Sequence, residues 1–374
     1  MNDIRIVAVT EKKQLRAFIR LAHRIYRGDR NWVPPLDLDI KEKLDVRRNP
    51  FFEHAEREAY LAYRGDEVVG RVVAILDRHH NDIHAEKTVF FGLFESVDDV
   101  AVARALLGAV EAWGKARGLD TLRGPVNLSL NEECAFLYDG YDSPPTVMMP
   151  YNPRYYHPLM ESCGLAKAKD LYAFFMDRGH KVEPRVLALL EKMRNAMPDL
   201  LVRTFDMKHW KEESEKVKAV YNQGWVKNWG FVPWTAKEMD AVVKKLKQMA
   251  DTRVVIVAED KGRPVGFAFA LPNYNEILIK IGGKLFPFGI VRLLLGRKKI
   301  KSLRFLVFGI VPEFRNTGLS YLLYRKLEEN ARAAGYEWGE TSWQLEDNDA
   351  VNRFVMSVGG RVYKTYRIYE RKIP

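Results

Sequence analysis

The sequence predicts an α/β chain that carries one fold twice, each copy a mixed central sheet with helices on both faces. Three observations predict it. The strand–turn–strand segment Tyr60–Ile75 returns as Ile256–Leu271, with Gly70 matching Gly266. At the same offset Asn152–Gly164 parallels Asn348–Gly360, and each is followed by an aromatic, strand-like run, Asp170–Phe175 and Thr365–Tyr369. Trp32-Val-Pro-Pro35 stands in the same order against Phe231-Val-Pro-Trp234. Chance explains one such match; three in one order argue for duplication. A chain of 374 residues also exceeds the roughly 100–200 of an ordinary domain. The copies divide into 1–180 and 181–374, since the first copy's last strand ends at Asp177-Arg-Gly-His180 and a helix over Pro184–Met197 connects them.

Each half reads strand, long helix or helix pair, hairpin, strand, helix, strand, helix, strand. In the second half Leu201–Phe205 opens as a strand and Trp210–Ala250 holds the helices. The hairpin follows because β-forming residues flank a charged, Gly-bearing turn. Leu303–Ile310 is apolar and of strand length, with Gly309 marking a bulge or a close backbone approach. Leu319–Ala334 is a helix because Leu319, Leu322, Leu323, Leu327, Ala331 and Ala334 share one face, and Gly335 stops it. Glu337–Leu345, Ala350–Val358 and Arg361–Arg371 complete the order as strand, helix and strand.

A composition of 47% hydrophobic and 29% charged residues without low-complexity tracts fits a globular chain and excludes long disordered regions. The formal net charge of +11 favours anionic partners: a phosphate-bearing cofactor, anionic lipid or nucleic acid. Cys134 and Cys163 are too few for a disulfide framework, and no CxxC spacing marks a metal site, so no metal is expected. The N-terminus has no apolar secretory region, and no run reaches the roughly 18 apolar residues of a membrane span. A cytoplasmic location is therefore expected.

The chemistry concentrates in one turn. After the strand Leu303–Val311 and Pro312, the segment Arg315-Asn-Thr-Gly-Leu-Ser320 leads into a helix. Unpaired N–H groups and the helix dipole converge there, which makes an anion site. This segment resembles the acyl-CoA signature of GNAT acyltransferases, (Gln/Arg)-x-x-Gly-x-(Gly/Ala), as Arg315-x-x-Gly318-x-Ser320. The resemblance implies two tandem GNAT-like domains, the first degenerate and the second carrying the acyl-CoA-binding turn. It implies that Phe308, Gly309, Ile310 and Val311 line pantetheine. Arg315, Asn316, Thr317, Gly318, Leu319 and Ser320 hold the pyrophosphate, and Asn348 and Asn352 belong to the same cofactor site. Ser320 departs from the usual Gly or Ala but is small and can itself bond a phosphate.

The resemblance also implies a tyrosine acid one turn before Gly359-Gly360, where this chain has Val355 and Met356. Either Tyr321 or Tyr363 supplies the proton, or the thiolate leaves unassisted, as a thiol of pKa about 8.5 allows. Glu346 is the first candidate for general base and Glu276 the second, each with a solvated surface carboxylate as the alternative.

The first copy lacks the turn: Phe90–Ala103 has no Gly after its strand and places Asp98 and Asp99 where phosphate would sit. Its own insertion, from Gly124 through Cys134 to His157, reads as a binding loop in which Asn127, Asn131 and Tyr156 contact substrate, or else as scaffold. His157 reads as a structural hydrogen-bonder, and Cys134 has no His or Asp partner for nucleophilic work. In the second copy the resemblance implies that Trp225, Asn228, Trp229 and Phe231 form the acceptor wall; otherwise they pack as core. The segment 277–301 is apolar with a basic end: an interfacial element on an anionic membrane, a lid over an acyl chain, or a buried helical hairpin.

Across most of the chain the sequence also resembles bacterial tandem GNAT-like proteins, among them acyl-CoA-dependent ceramide synthases. The shared phrases are Gly124-Pro-Val-Asn, Tyr151-Asn-Pro-Arg-Tyr-Tyr156, Asn228-Trp-Gly-Phe-Val-Pro233 and Thr341-Ser-Trp-Gln-Leu-Glu-Asp-Asn348. The resemblance implies an N-acyltransferase that moves an acyl group from acetyl-CoA or a longer acyl-CoA to a primary amine, a small molecule or a sphingoid-like lipid. A peripheral position at the inner face of the membrane would follow. Two alternatives are an aminoacyl-tRNA-dependent transferase and a non-catalytic CoA-sensing or nucleic-acid-binding regulator. The intact turn argues against the first, and no helix-turn-helix, zinc spacing or aromatic RNA motif supports the second, so nucleic acid is not expected. Acceptor identity, acyl length and oligomeric state stay open.

Overall fold

The computed structural model describes residues 3–177, 179, 184–224, 228–315 and 317–374. The first stretch forms β1 (Ile4–Ala8), α1 (Lys12–Ile25), α2 (Asp37–Lys43), β2 (Ala55–Arg64), β3 (Glu67–Asp77), α3 (Arg78–His84), β4 (Thr88–Ser96) and α4 (Val100–Lys115). It continues with β5 (Thr121–Gly124), β6 (Phe136–Asp139), α5 (Tyr156–Ser162) and β7 (Ala166–Asp177). Next come α6 (Pro184–Ala196), β8 (Leu200–Thr204), α7 (Trp210–Gly224), α8 (Ala236–Met249), β9 (Val255–Asp260) and β10 (Arg263–Pro272). The rest is α9 (Asn275–Ile281), α10 (Gly289–Gly296), β11 (Ser302–Ile310), α11 (Leu319–Ala333), β12 (Trp338–Leu345), α12 (Asp349–Ser357) and β13 (Arg361–Lys372).

These elements make two compact units, Met1–Leu171 with Leu278–Arg292 and Lys364–Pro374, and Tyr172–Ile277 with Leu293–Tyr363. The sequence alone suggests contiguous copies meeting at 180/181; the units interleave. Residues 166–171 of β7 and 364–372 of β13 belong to the first, and 172–177 and 361–363 to the second. A repeat comparison finds equivalent elements, but hydrogen bonding decides where an end strand pairs: Tyr369 sits opposite Gly124 on β5.

In the first unit the sheet runs β1-β2-β3-β4-β5 and then the end of β13, to which β6 also pairs. Strands β4 and β5 pair in parallel while β1–β2, β2–β3, β3–β4 and β5–β13 are antiparallel, so the sheet is mixed. Strand β3 is buried from Val69 to Asp77, as a central strand covered on both faces must be. Helix α4 lays Val102, Ala103, Leu106, Leu107 and Val110 on it. In the second unit the order is the end of β7, then β12-β11-β10-β9-β8, with β11 and β12 parallel. Helix α7 packs on β10 and β11, and α11 on β9 and β10. Between α11, α12 and the sheet lie Phe174, Met176, Tyr324, Val355 and Val358.

Local chemistry starts the helices where expected. Thr235 and Glu238 form a capping box on α8, and the Asn348 side chain caps α12. The predicted bulge falls elsewhere than at Gly309: Gly309 stays in register with Phe267, and Leu306 is the residue left over between Phe269 and Ala270. Among the described residues no helix is long and apolar enough to cross a membrane.

Candidate functional site

Strand β11 is bonded along one side and half open along the other. Against β10 it pairs from Leu303 to Ile310. Against β12 the ladder runs only from Ser302–Trp338 to Phe305–Thr341, after which the strands part. The backbone of Leu306–Ile310 is thus offered to an extended ligand, in the way a free strand edge takes up an added strand. The separation is a tertiary fact, because nothing in Leu303–Ile310 says where its parallel neighbour leaves.

The open edge runs straight into the predicted turn. Pro312–Phe314 make one 3-10 turn, and the Thr317 hydroxyl donates to the Phe314 carbonyl at 2.8 Å. Gly318 sits at φ +80°, a left-handed conformation that only glycine adopts cheaply. The Tyr321 and Leu322 N–H groups close on the Gly318 carbonyl, and no side chain caps the helix. An uncapped helix N-terminus at the end of an open edge is an anion site. Nearby Asn352 is buried; its Nδ2 donates to the carbonyls of Leu345 (3.0 Å) and Glu346 (3.3 Å), while its Oδ1 is buried without a hydrogen-bond partner. An orphan acceptor of this kind costs stability unless a ligand N–H satisfies it. These features fit an acyl-CoA, whose amide-bearing arm and pyrophosphate need a strand edge, an acceptor and an anion cradle.

One neighbour of the turn was not foreseen. Met193, on α6, lies against Gly318: a Cβ added there would be 1.8 Å from its methyl carbon. The connector helix therefore places a thioether over the cradle.

The other sequence candidates divide. Phe308 packs at a tilt on α12 through Phe354, with centroids 5.8 Å apart, while its backbone lines the open edge. Arg315 is exposed beside the turn, and Asn316 lies outside the described residues. Glu346 is half-buried just after β12. Glu276 is held at the opposite end of β11, where its carboxylate accepts from the Lys301 N–H (3.1 Å), the Ser302 N–H (2.9 Å) and the Ser302 hydroxyl. Tyr321 bonds Ser357 at 2.7 Å on the α12 side. Trp225 lies outside the described residues; Asn228 and Trp229 are half-buried. Phe231 is buried against Tyr221, which in turn stacks on Trp234.

On the face of β12 turned away from α11 and α12 lies a cluster of which the sequence picked out Tyr363 alone. Glu340 is 0% exposed and accepts from the hydroxyls of Ser342 and Tyr363. Arg304, also buried, donates to the Ser342 Oγ at 2.9 Å. Trp338, on the same face as Glu340, stacks on Phe175, which meets the Tyr363 ring edge-on. Alternation along β12 puts Trp338, Glu340 and Ser342 together, but their pairing with Arg304 and Tyr363 needs the register.

In the first unit the equivalent slot is filled by the chain. The β4–β5 ladder ends at Phe90–Arg123; then Val126 N–H donates to the Phe91 carbonyl (2.8 Å) and the Asn127 Oδ1 accepts from Leu93 N–H (2.8 Å). Gly92 is required: a Cβ would lie 2.0 Å from the Val126 carbonyl oxygen. The helix end that would meet phosphate carries Asp99 instead, which caps the Ala101 N–H and pairs with Arg64. Tyr156 is fully buried, its hydroxyl donating to Glu95 at 2.6 Å and accepting from Ser96 N–H. Burial raises the Glu95 carboxyl, against the nearby Arg71 guanidinium. Asn131 stays half-buried in its loop, its N–H bonded to Ser129. His157 bridges the Tyr369 hydroxyl (2.8 Å) and the Leu137 carbonyl (2.7 Å), and burial lowers its pKa.

Relatives match nearly end to end. A bacterial ceramide synthase of Caulobacter vibrioides (strain NA1000 / CB15N) is 36% identical over 99% of this chain and 98% of that protein. Protein YghO of Escherichia coli (strain K12) is 32% identical over 97% of this chain and 94% of its own length. The chain belongs to their family. No family model matches it. The fold is that of tandem GNAT proteins: one from the clavulanic acid biosynthesis pathway superposes at a TM-score of 0.57 and 12% identity, covering 100% of this chain and 99% of that one. A GCN5-related N-acetyltransferase from Sphaerobacter thermophilus gives 0.53 at 11% identity, covering 99% and 96%. On this tandem GNAT fold the second unit thus has an open slot that ends on an uncapped turn, and the first a self-filled slot.

Proposed function

We propose that this tandem GNAT protein is an acyl-CoA-dependent N-acyltransferase whose acceptor is the primary amine of a long-chain lipid. The observation that carries it is the open edge of β11 ending on the uncapped Gly318 turn, beside the orphan Asn352 acceptor. The co-substrate supplies an activated acyl group as a thioester. The backbone from Phe308 to Val311 holds its extended arm, and Arg315 with Thr317–Ser320 holds its phosphates. Asn352, steadied by the α12 cap at Asn348, accepts an amide N–H. Of the two carboxylates the sequence offers, Glu346 is half-buried where β12 ends, whereas Glu276 anchors the far end of β11. The lipid acceptor rests on the Caulobacter relative's name and on the segment 277–301, where the strand-edge argument is silent.

Thermal shift with CoA and acyl-CoAs of increasing chain length tests this reading. Stabilisation should rise with ligand concentration over Kd, about 2.7 kcal/mol at a hundredfold excess, and should grow with chain length. No shift with any of them would sink it. Met193 lies in the way of the phosphates, so Met193→Ala is expected to tighten CoA binding several-fold, on the order of 1 kcal/mol. Calorimetric titration reads this directly; an unchanged or weaker affinity means that Met193 does not cover the cradle.

The same reading assigns 277–301 to a membrane surface. Ile277 and Ile281 are buried, but Phe286 is 79% and Phe288 69% exposed, followed on α10 by exposed Leu294 and Leu295 and then by Arg297-Lys-Lys299. Exposed aromatic and aliphatic side chains next to a basic run suit an anionic interface. Phe286→Ser/Phe288→Ser should reduce co-sedimentation with phosphatidylglycerol vesicles while leaving the melting temperature unchanged. Equal sedimentation of variant and parent removes the assignment.

A further inference from the structure

We propose that Tyr363, backed by the buried carboxylate of Glu340, carries the proton in the acyl transfer; this rests on the N-acyltransferase reading above. A carboxylate with no solvent exposure is costly unless its charge is balanced and its oxygens are bonded. Glu340 meets both conditions. Its Oε1 accepts from the Ser342 hydroxyl and its Oε2 from Tyr363. Arg304 stands directly opposite in the parallel ladder and holds the Ser342 Oγ at 2.9 Å and the Ser342 carbonyl at 3.3 Å. Of these groups only Tyr363 is half-exposed, so it is the one able to meet a reacting amine.

The position is as telling as the bonding. Glu340 precedes by one residue the last ladder pair, Phe305–Thr341, and Ser342 follows it. The cluster thus sits where β11 and β12 part, at the end of the slot away from the Gly318 cradle. Gly339 faces the other way, onto Phe305 and the α11–α12 cluster. Tyr363 borders the Phe175–Trp338 stack, an apolar surface suited to the chain of a lipid amine. Charged groups of the cluster include Glu340 from β12, with Arg304 of β11 opposite it, and Arg361 from β13, which lies over the Phe175 ring at 4.7 Å.

The balance is simple. An N–C bond forms, the thioester C–S bond breaks, and one proton leaves nitrogen and ends on sulfur. The Tyr363 oxygen accepts the nitrogen's proton as its own passes to Glu340 Oε2, and the reverse transfer delivers a proton to the departing sulfur. Neither residue is consumed.

The test compares Tyr363→Phe with the parent protein, using acyl-CoA and a long-chain amine. Tyr363→Phe should lower kcat about 10²-fold or more, keep the acyl-CoA thermal shift within twofold, and lose less activity at pH 9 than at pH 7, where more of the amine arrives protonated. Glu340→Gln should do the same, but it leaves Arg304 buried beside a neutral group and can fail to fold; Tyr363→Phe, at a half-exposed position, keeps the idea exposed to refutation. A parent that neither binds nor turns over acyl-CoA defeats the N-acyltransferase reading itself. A parent that works, with a Tyr363→Phe variant of equal kcat and an identical pH profile, defeats the relay alone. A uniform loss at every pH, matched by a loss of acyl-CoA binding, would assign Tyr363 to packing and overturn the proposal.

Discussion

Ser320→Glu is expected to abolish CoA binding while leaving the protein as stable as before or slightly more so. Ser320 lies in the first turn of α11, where no side chain caps the exposed N–H groups. A carboxylate in that turn interacts favourably with the helix dipole, a gain of about 0.3–1 kcal/mol. The same carboxylate faces the phosphates that the turn is proposed to hold. Unit charges about 4 Å apart repel by about 4 kcal/mol at the effective dielectric of a protein surface, which is roughly a thousandfold in Kd. The first unit shows the native counterpart, with Asp99 capping the equivalent helix. Ser320→Ala, which adds no charge, should keep binding within several-fold. The measurement is the CoA-dependent melting shift of both variants, and a Ser320→Glu protein that still responds to CoA moves the cradle elsewhere. Gly318 is a poorer probe, because any side chain there meets both a positive φ and Met193.

The second large effect is on stability. Gly92→Ala should cost about 3 kcal/mol or more, beyond the middle of the range for overpacked sites, because the added Cβ meets backbone rather than a flexible side chain. The Val126 carbonyl oxygen would lie 2.0 Å away, and it cannot retreat without pulling Val126 N–H from Phe91 and Asn127 from Leu93. For a unit of this size that is a fall of about 6–12 °C in melting temperature. Gly108→Ala in the same unit is the contrast: nothing lies within 4 Å of its Cβ and it sits inside α4, so it should be neutral or stabilise by about 0.5–1 kcal/mol. Equal melting temperatures for the two variants would mean that the loop is not lodged in the slot.

Much of the local structure around Gly318 was legible beforehand because turn chemistry is local. Glycine before an apolar, 3.6-periodic run announces a helix start, and the strand–turn–helix over Leu303–Ala333 follows from those residues alone. Missing from the reading was whatever depends on a partner far along the chain. A glutamate in β12 looks like a solvated charge until Arg304 is placed opposite it. Asn127 looks like a binding residue until Leu93 N–H claims its carboxamide. Tyr156 has the aspect of a substrate contact, yet its hydroxyl is spent on Glu95 and Ser96.

By itself, then, the sequence determined the duplication, the order of elements and the turn at Gly318, since periodicity, breakers and helix ends are written within a few neighbouring residues. Tertiary structure alone decided which slot is open: β11 and β12 part after Phe305 and Thr341, whereas Val126 and Asn127 close the gap beside β4. It also decided that Met193 covers Gly318 and that Phe286 and Phe288 stay exposed. The reason is physical: strand register and burial are set by hydrogen bonds and packing between segments distant in sequence, and no local pattern encodes them.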